Sequence, residues 1–191
     1  VIAKDPARYD KAIRECLPRV QAANADLRSI YLGLSGLFPD RPLPHVYMVF
    51  GAGNSGGTAS TTAQVLGLEV ICAENPTPEK FRAALRYFFA HETVHSLQRQ
   101  SAKGDTSPLL DAMLMEGAAD FIATLVTGEE QASERAQWAR PREQVLWTAL
   151  STDLTKAEPP MQRWIYNYQS APEGWPSDVG YWMGMRIWQS Y

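Results

Sequence analysis

From Thr77 to Gln100 the chain contains no glycine, and its one proline, Pro78, stands at the first helical position, where a missing N–H is tolerated. Thr77 is placed to cap that helix, and Phe81, Leu85, Phe88 and Phe89 recur at intervals of three and four, as on a helix that buries one face. Two of the three histidines of the chain fall within this stretch, in "HETVHSLQ" (91–98). Residues four apart on a 3.6-residue turn lie about 40° apart around the axis and one turn along it. His91 and His95 therefore project side by side from one face, with Glu92 directly after the first.

Two imidazoles so placed can bind a single ion. Zinc takes nitrogen ligands at about 2.0–2.1 Å, and a catalytic zinc uses three protein ligands and leaves its fourth position to water. Glu92 is then positioned to accept that water's proton. A third ligand is offered by "LMEGAADFIA" (114–123), in a second expected helix that runs from Ser107 as cap and Pro108 at the first position to Gly128 at the stop. Glu116 and Asp120, four apart, again share a face. Gly117 costs roughly 0.8–1.0 kcal/mol relative to alanine inside a helix, so it calls for a reason such as close approach to a neighbouring helix, the approach that a shared metal requires. Glu116 is the expected third ligand, and Asp120 is expected to accept the free ring N–H of a histidine ligand and fix its tautomer. The plainer alternatives are a buried helix with two hydrogen-bonded histidines, and an ordinary solvated face for Glu116 and Asp120.

His91-Glu92-x-x-His95 followed by Glu116-Gly117-x-Ala119-Asp120 resembles the gluzincin class of zinc peptidases, in which the third ligand is a glutamate on the helix after the motif helix. Within that class, "HETVHSLQ", "EGAADFIA" and the terminal "GYWMGMRIWQSY" together resemble the predicted zinc-dependent proteases related to the gliding-motility lipoprotein B family. These blocks lie along residues 88–191, about half of the chain. Thr93 stands where that group is expected to carry an aromatic residue, and no asparagine precedes Glu116 as in the large aminopeptidases.

The resemblance implies a hydrolase with one zinc per chain, held by His91, His95 and Glu116, that cleaves a peptide or protein substrate. Glu92 would be the general base toward a metal-activated water and would later pass the proton to the leaving amine. It also implies a tyrosine or histidine that stabilises the oxyanion. The candidates are Tyr181, His45, Tyr166 and Tyr168, and Tyr181 is preferred because Gly180 and Gly184 would let its helix pack close to the site. The strand at 46–50 and the loop after it are expected to form the upper edge of a cleft, where an extended peptide could pair by β-addition. Export to the periplasm or cell surface is a further expectation, consistent with a first residue, Val1, that is not methionine and leaves room for a removed upstream segment. The chain likewise stops at Tyr191 inside an apparent helix, which leaves room for a downstream one.

The expected fold is α+β and mainly helical, a single zincin-like domain over 1–191, with N-terminal helices and a small β-sheet in 1–75 and the helical part with the zinc site in 76–191. Ile13, Leu17, Val20, Leu27, Ile30, Leu34 and Leu37 trace one or two amphipathic helices interrupted at Pro18 and read as core. "HVYMVF" (45–50) and "LEVICAE" (68–74) read as strands, and further helices are expected over 141–154 and 178–191. A net charge of −3 gives no basic stripe for nucleic acid or anionic lipid, and no apolar run has the length of a membrane span. Cys16 and Cys72 are equally compatible with one disulfide or two buried thiols.

Three other readings compete. "GAGNSG" (51–56) satisfies G-x-G-x-x-G after a strand, with Glu74 further on, as a dinucleotide site needs, but the segment that should open a helix is rich in threonine and serine. The same loop spells G-x-S-x-G at Gly53, Ser55 and Gly57, although the only later histidines are those of the helix motif. A zinc-binding interaction module without turnover is the third. The aromatic stretch 162–176 reads as a cover over the last helix rather than a substrate loop.

Overall fold

The computed structural model describes residues 2–98, 107–129 and 133–191, and it is mainly helical with one small sheet, the expected α+β class. The chain divides into two compact units, Val1–Gln98 with Ile122–Gln131, and Arg99–Phe121 with Ala132–Tyr191.

The first unit opens with α1 (Pro6–Lys11), a π-helical stretch (Ala12–Cys16), α2 (Leu17–Ala22) and α3 (Asn24–Leu37). The break expected at Pro18 has a physical form: proline has no N–H for the i−4 carbonyl, and the wider π turn stands immediately before it. One extra residue in that turn rotates the helix face. Ala12 and Cys16 are therefore buried, whereas Ile13, Leu17 and, at the end of α3, Leu37 are exposed rather than core; Leu27, Ile30 and Leu34 are buried as expected.

Three strands follow, β1 (His45–Val49), β2 (Gly57–Ala59) and β3 (Ala63–Gly67), in the order β1-β3-β2, with β1 parallel and β2 antiparallel to β3. "LEVICAE", expected as a strand, is helix α4 (Leu68–Glu74), and the strand lies just before it. Leu68 to Cys72 are all buried, so the run carries no alternation and no stripe from which strand and helix could be told apart. Cys72 bonds to Cys16, which ties α4 to the π-helical stretch and decides between disulfide and thiols. The motif helix α5 (Pro78–Leu97) packs on β2, β3 and α3. The expected run to Gln100 instead ends at Leu97, with Gln98 extended as the C-cap, and residues 99 and 100 lie outside the described residues.

The second unit is built from α6 (Pro108–Thr127) as far as Phe121, α7 (Ser133–Ala139), a 3-10 turn (Arg140–Arg142), α8 (Glu143–Leu154), α9 (Met161–Trp164) and α10 (Val179–Ser190). Leu109, Met113, Leu146, Leu150, Trp164 and Met183 form its centre. The short helices α7 and α9 are not marked by any periodicity, because seven and four residues hold too few turns to show one. Ser107 Oγ is buried with no partner among the described residues, so the expected cap of α6 is not made by that hydroxyl. Where α6 meets α10 the glycines matter: a Cβ on Gly117 would lie 2.6 Å from Gly184 Cα, and one on Gly184 would overlap the Met113 carbonyl. The neighbour that explains Gly117 is thus α10.

Two stability tests follow from this packing. Replacing Gly184 by alanine should cost about 3 kcal/mol or more by overpacking against backbone, whereas Gly36→Ala in α3, where a Cβ meets nothing within 4 Å, should stabilise by about 0.4–1 kcal/mol. Loss of the bridge in Cys16→Ser/Cys72→Ser, which closes a separation of 56 residues, should cost about 2–4 kcal/mol. Denaturant unfolding of each variant beside the wild type reads all three.

Candidate metal centre

Helix α5 sets the positions of the motif residues. Thr77 Oγ1 accepts from the Lys80 N–H at 3.2 Å, Pro78 occupies the first turn, and Phe81, Leu85 and Phe89 are buried, so the helix is capped, unbroken and held by one face. Thr93, in the middle of the motif, is buried; its hydroxyl donates to the Phe89 carbonyl at 2.8 Å and accepts from Gln64 Nε2 of β3 at 2.9 Å. That pins the motif turn to the sheet, a task an aromatic side chain could not perform.

The two imidazoles meet edge to face, with ring centres 4.5 Å apart and Nε2 facing Nε2 at 2.9 Å. His95 Nδ1 lies 2.7 Å from Gln98 Oε1. An amide oxygen only accepts, so Nδ1 carries the hydrogen and Nε2 keeps its lone pair for whatever lies between the rings. Two ring nitrogens this close hold a proton or a cation between them. Gln98, three residues after His95, was not marked as functional by any motif, yet it sets the tautomer.

Glu92 is buried, and its side chain lies over the α-carbon of Gly57 in β2, where a Cβ would overlap it. A Cβ on the preceding Gly56 would meet the Phe88 ring at 2.7 Å. Two consecutive glycines thus let the edge strand β2 lie directly on the motif turn. Of the two edge strands, it is β2, reached through the loop after the strand expected at 46–50, that lies against Glu92, with β3 between β2 and β1.

In the second unit Glu116 and Asp120 are both buried on α6. Tyr166 donates its hydroxyl to Glu116 Oε1 at 3.1 Å, and its ring stands edge-on to Tyr181 at 6.4 Å. Arg135 lies over the Tyr181 ring at 5.2 Å and reaches Asp120 at 3.9 Å. Burial first, then the charge of Glu116, pushes the phenols of Tyr166 and Tyr181 well above the usual tyrosine range, so both remain O–H donors. Of the other oxyanion candidates, His45 is exposed at the start of β1 and Tyr168 is 68% exposed. Trp164 and Trp175 of the aromatic stretch pack on each other and on the unit's core, the expected cover, while Tyr166 between them turns toward Glu116.

His91 and His95 in the first unit and Glu116 in the second each offer one ligand atom of a kind that zinc takes. The set fits zinc in kind. Two neutral imidazoles and one carboxylate are among the usual ligands of a catalytic site.

The glycine loop has a different occupant from the one its motif suggests. Glu69, buried at the start of α4, accepts from the Gly51 N–H through Oε2 and from the Gly53 N–H through Oε1, both at 2.9 Å. Tyr9 and Arg8 of α1 tie the same segments, to the Gly51 and Glu69 carbonyls. The amides that would cradle a phosphate are thus filled by the protein's own carboxylate, and the residues after the loop form strand β2 instead of a helix. Ser55 Oγ donates to the Gly57 carbonyl at 2.6 Å within the loop, with no strand-to-helix elbow around it.

Residues 57–191 match the family model described as Predicted Zn-dependent protease (DUF2268). No curated protein and no solved structure matches the chain.

Because Glu69 already fills the loop, NAD at millimolar concentration should leave the melting temperature of the wild type unchanged. Glu69→Ala should lower stability by about 2–4 kcal/mol, through two amides that lose a charged acceptor. Thermal melts with and without NAD check the first expectation, and chemical unfolding checks the second.

Proposed function

The chain belongs to the family described as Predicted Zn-dependent protease (DUF2268), and from that premise we propose that it is a zinc peptidase of the gluzincin type, with His91, His95 and Glu116 as ligands and Glu92 as general base. The observation that carries the reading is the pair His91 and His95, with Nε2 facing Nε2 at 2.9 Å, beside a buried Glu92 on the same helix. Zinc at such a site supplies Lewis acidity and brings the pKa of a bound water to near 7. Glu92, held against Gly57, is the group that would take up a proton from the attacking water and return it to the leaving amine. His95 Nδ1 is held by Gln98, and Asp120 is the proposed acceptor for the ring N–H of a histidine ligand. Tyr181, kept protonated by burial and by neighbouring carboxylates, is the proposed oxyanion donor. The substrate is a peptide or protein, extended along the edge strand β2 by main-chain pairing.

No helix among the described residues is long and apolar enough to cross a membrane. Export to an oxidising compartment is proposed for this chain, supported by the Cys16–Cys72 bridge.

The test is elemental analysis joined to peptide cleavage. The wild type should hold about one zinc per chain and cleave a peptide library in a chelator-sensitive way, and His95→Ala and Glu116→Ala should lose the metal. Glu92→Gln should keep zinc while cleavage falls about 10²–10⁴-fold. Zinc bound without any turnover would favour a binding module instead, and a wild type that stays metal-free with zinc supplied would sink the proposal.

A further inference from the structure

We infer that Tyr166 is a positioning residue for the Glu116 carboxylate, and that a reciprocal clamp between Asn167 and Asp178 holds Tyr166 in place for it. The inference rests on the reading of Glu116 as a metal ligand.

Tyr166 has φ +59°, the left-handed region that a bulky non-glycine residue enters at a cost of about 1–2 kcal/mol. The side chain is 54% exposed, so burial of the ring is not what holds it there. The constraint comes from both flanks. Before it, Trp164 is fully buried and donates Nε1–H to Asp153 Oδ2 at 2.8 Å. After it, the Asn167 N–H donates to Asp178 Oδ1 at 2.9 Å and the Asp178 N–H donates back to Asn167 Oδ1 at 2.7 Å, while Asn167 Nδ2 donates to the Gln162 carbonyl at 2.9 Å. Asn167 is 1% exposed, and its three bonds each run between a side chain and backbone, so the path of the chain after Tyr166 is fixed. Asp178 also stands at positive φ, as the residue before α10. The clamp thus closes the loop 167–178 and leaves Tyr166 at its neck, with its hydroxyl on Glu116 Oε1 at 3.1 Å. Strain kept at a polar contact is characteristic of a residue selected for where it puts its functional group. A carboxylate with one oxygen held by a fixed donor has lost its terminal rotation and meets an ion already oriented.

Tyr166→Phe removes one hydroxyl on a half-exposed ring, and Asp178→Ala removes the clamp's acceptor, whereas Asp178→Asn keeps an oxygen at that position. Zinc affinity is read by competition with a chelating indicator. Tyr166→Phe and Asp178→Ala should each bind zinc about 10–100-fold more weakly than the wild type, and Asp178→Asn should stay within about threefold of it. The double variant Tyr166→Phe/Asp178→Ala should be no weaker than the weaker single variant, because both act through one contact. Unchanged affinity in Tyr166→Phe would overturn the inference, as would losses that multiply in the double variant. A wild type that binds no zinc would overturn the zinc reading beneath it, and that failure shows before any variant is made.

Discussion

Two imidazole nitrogens held 2.9 Å apart share a hydrogen or hold a cation between them, and the first unit is arranged to keep them in that relation. The helical turn places the side chains together, but a turn alone leaves the rings free to rotate. Gln98 removes that freedom for His95 by accepting from Nδ1. Thr93 removes freedom of the helix itself by bonding to Gln64 of β3. The edge strand then closes over Glu92, which is possible only because Gly56 and Gly57 carry no Cβ. Each of these contacts is polar or steric and short in range, so the apolar core behind Phe81, Leu85 and Phe89 supplies the rigidity and the motif face supplies the chemistry.

The second unit solves a similar problem with backbone approach and strain. Gly117 and Gly184 bring α10 onto α6 one residue from Glu116, and Asp153, buried among Lys156, Arg163 and Trp164, anchors the chain just before Tyr166. Burial alone would push the Asp153 carboxyl up, but hydrogen bonds from Lys156 and Trp164 and the charge of Arg163 outweigh it and hold the group below the usual aspartate range. It therefore stays ionised through neutral pH, and its contribution is lost only as pH falls through that lowered value.

Much of this was legible in order along the chain. The cap at Thr77, the run without breakers and the four-residue spacing determine α5 to within a few residues, and the same four-residue rule puts Glu116 and Asp120 on one face of α6. The glycine at 117 marks the close helix approach expected of it, and the neighbour is α10. "LEVICAE" was misread because a segment buried on all sides has no periodicity to offer. The phase of the N-terminal helices was misread because a π turn adds one residue that no composition announces. The glycine loop matched a phosphate-binding pattern because such loops and this one need the same thing, clustered backbone N–H groups facing an anion, and here the anion is Glu69.

What the sequence determined by itself was local: helical phase, caps, the identity of the ligand-type residues and their spacing on each helix. These depend on bond geometry within a few residues and are indifferent to the rest of the chain. Which groups met was decided by tertiary structure alone. Glu69 reaching Gly51 and Gly53, the Cys16–Cys72 bridge, and Tyr166 reaching Glu116 join residues separated by 16 to 56 positions. A hydrogen bond carries no sequence signature of its distant partner; it is chosen when packing of the apolar faces leaves one polar group within reach of another.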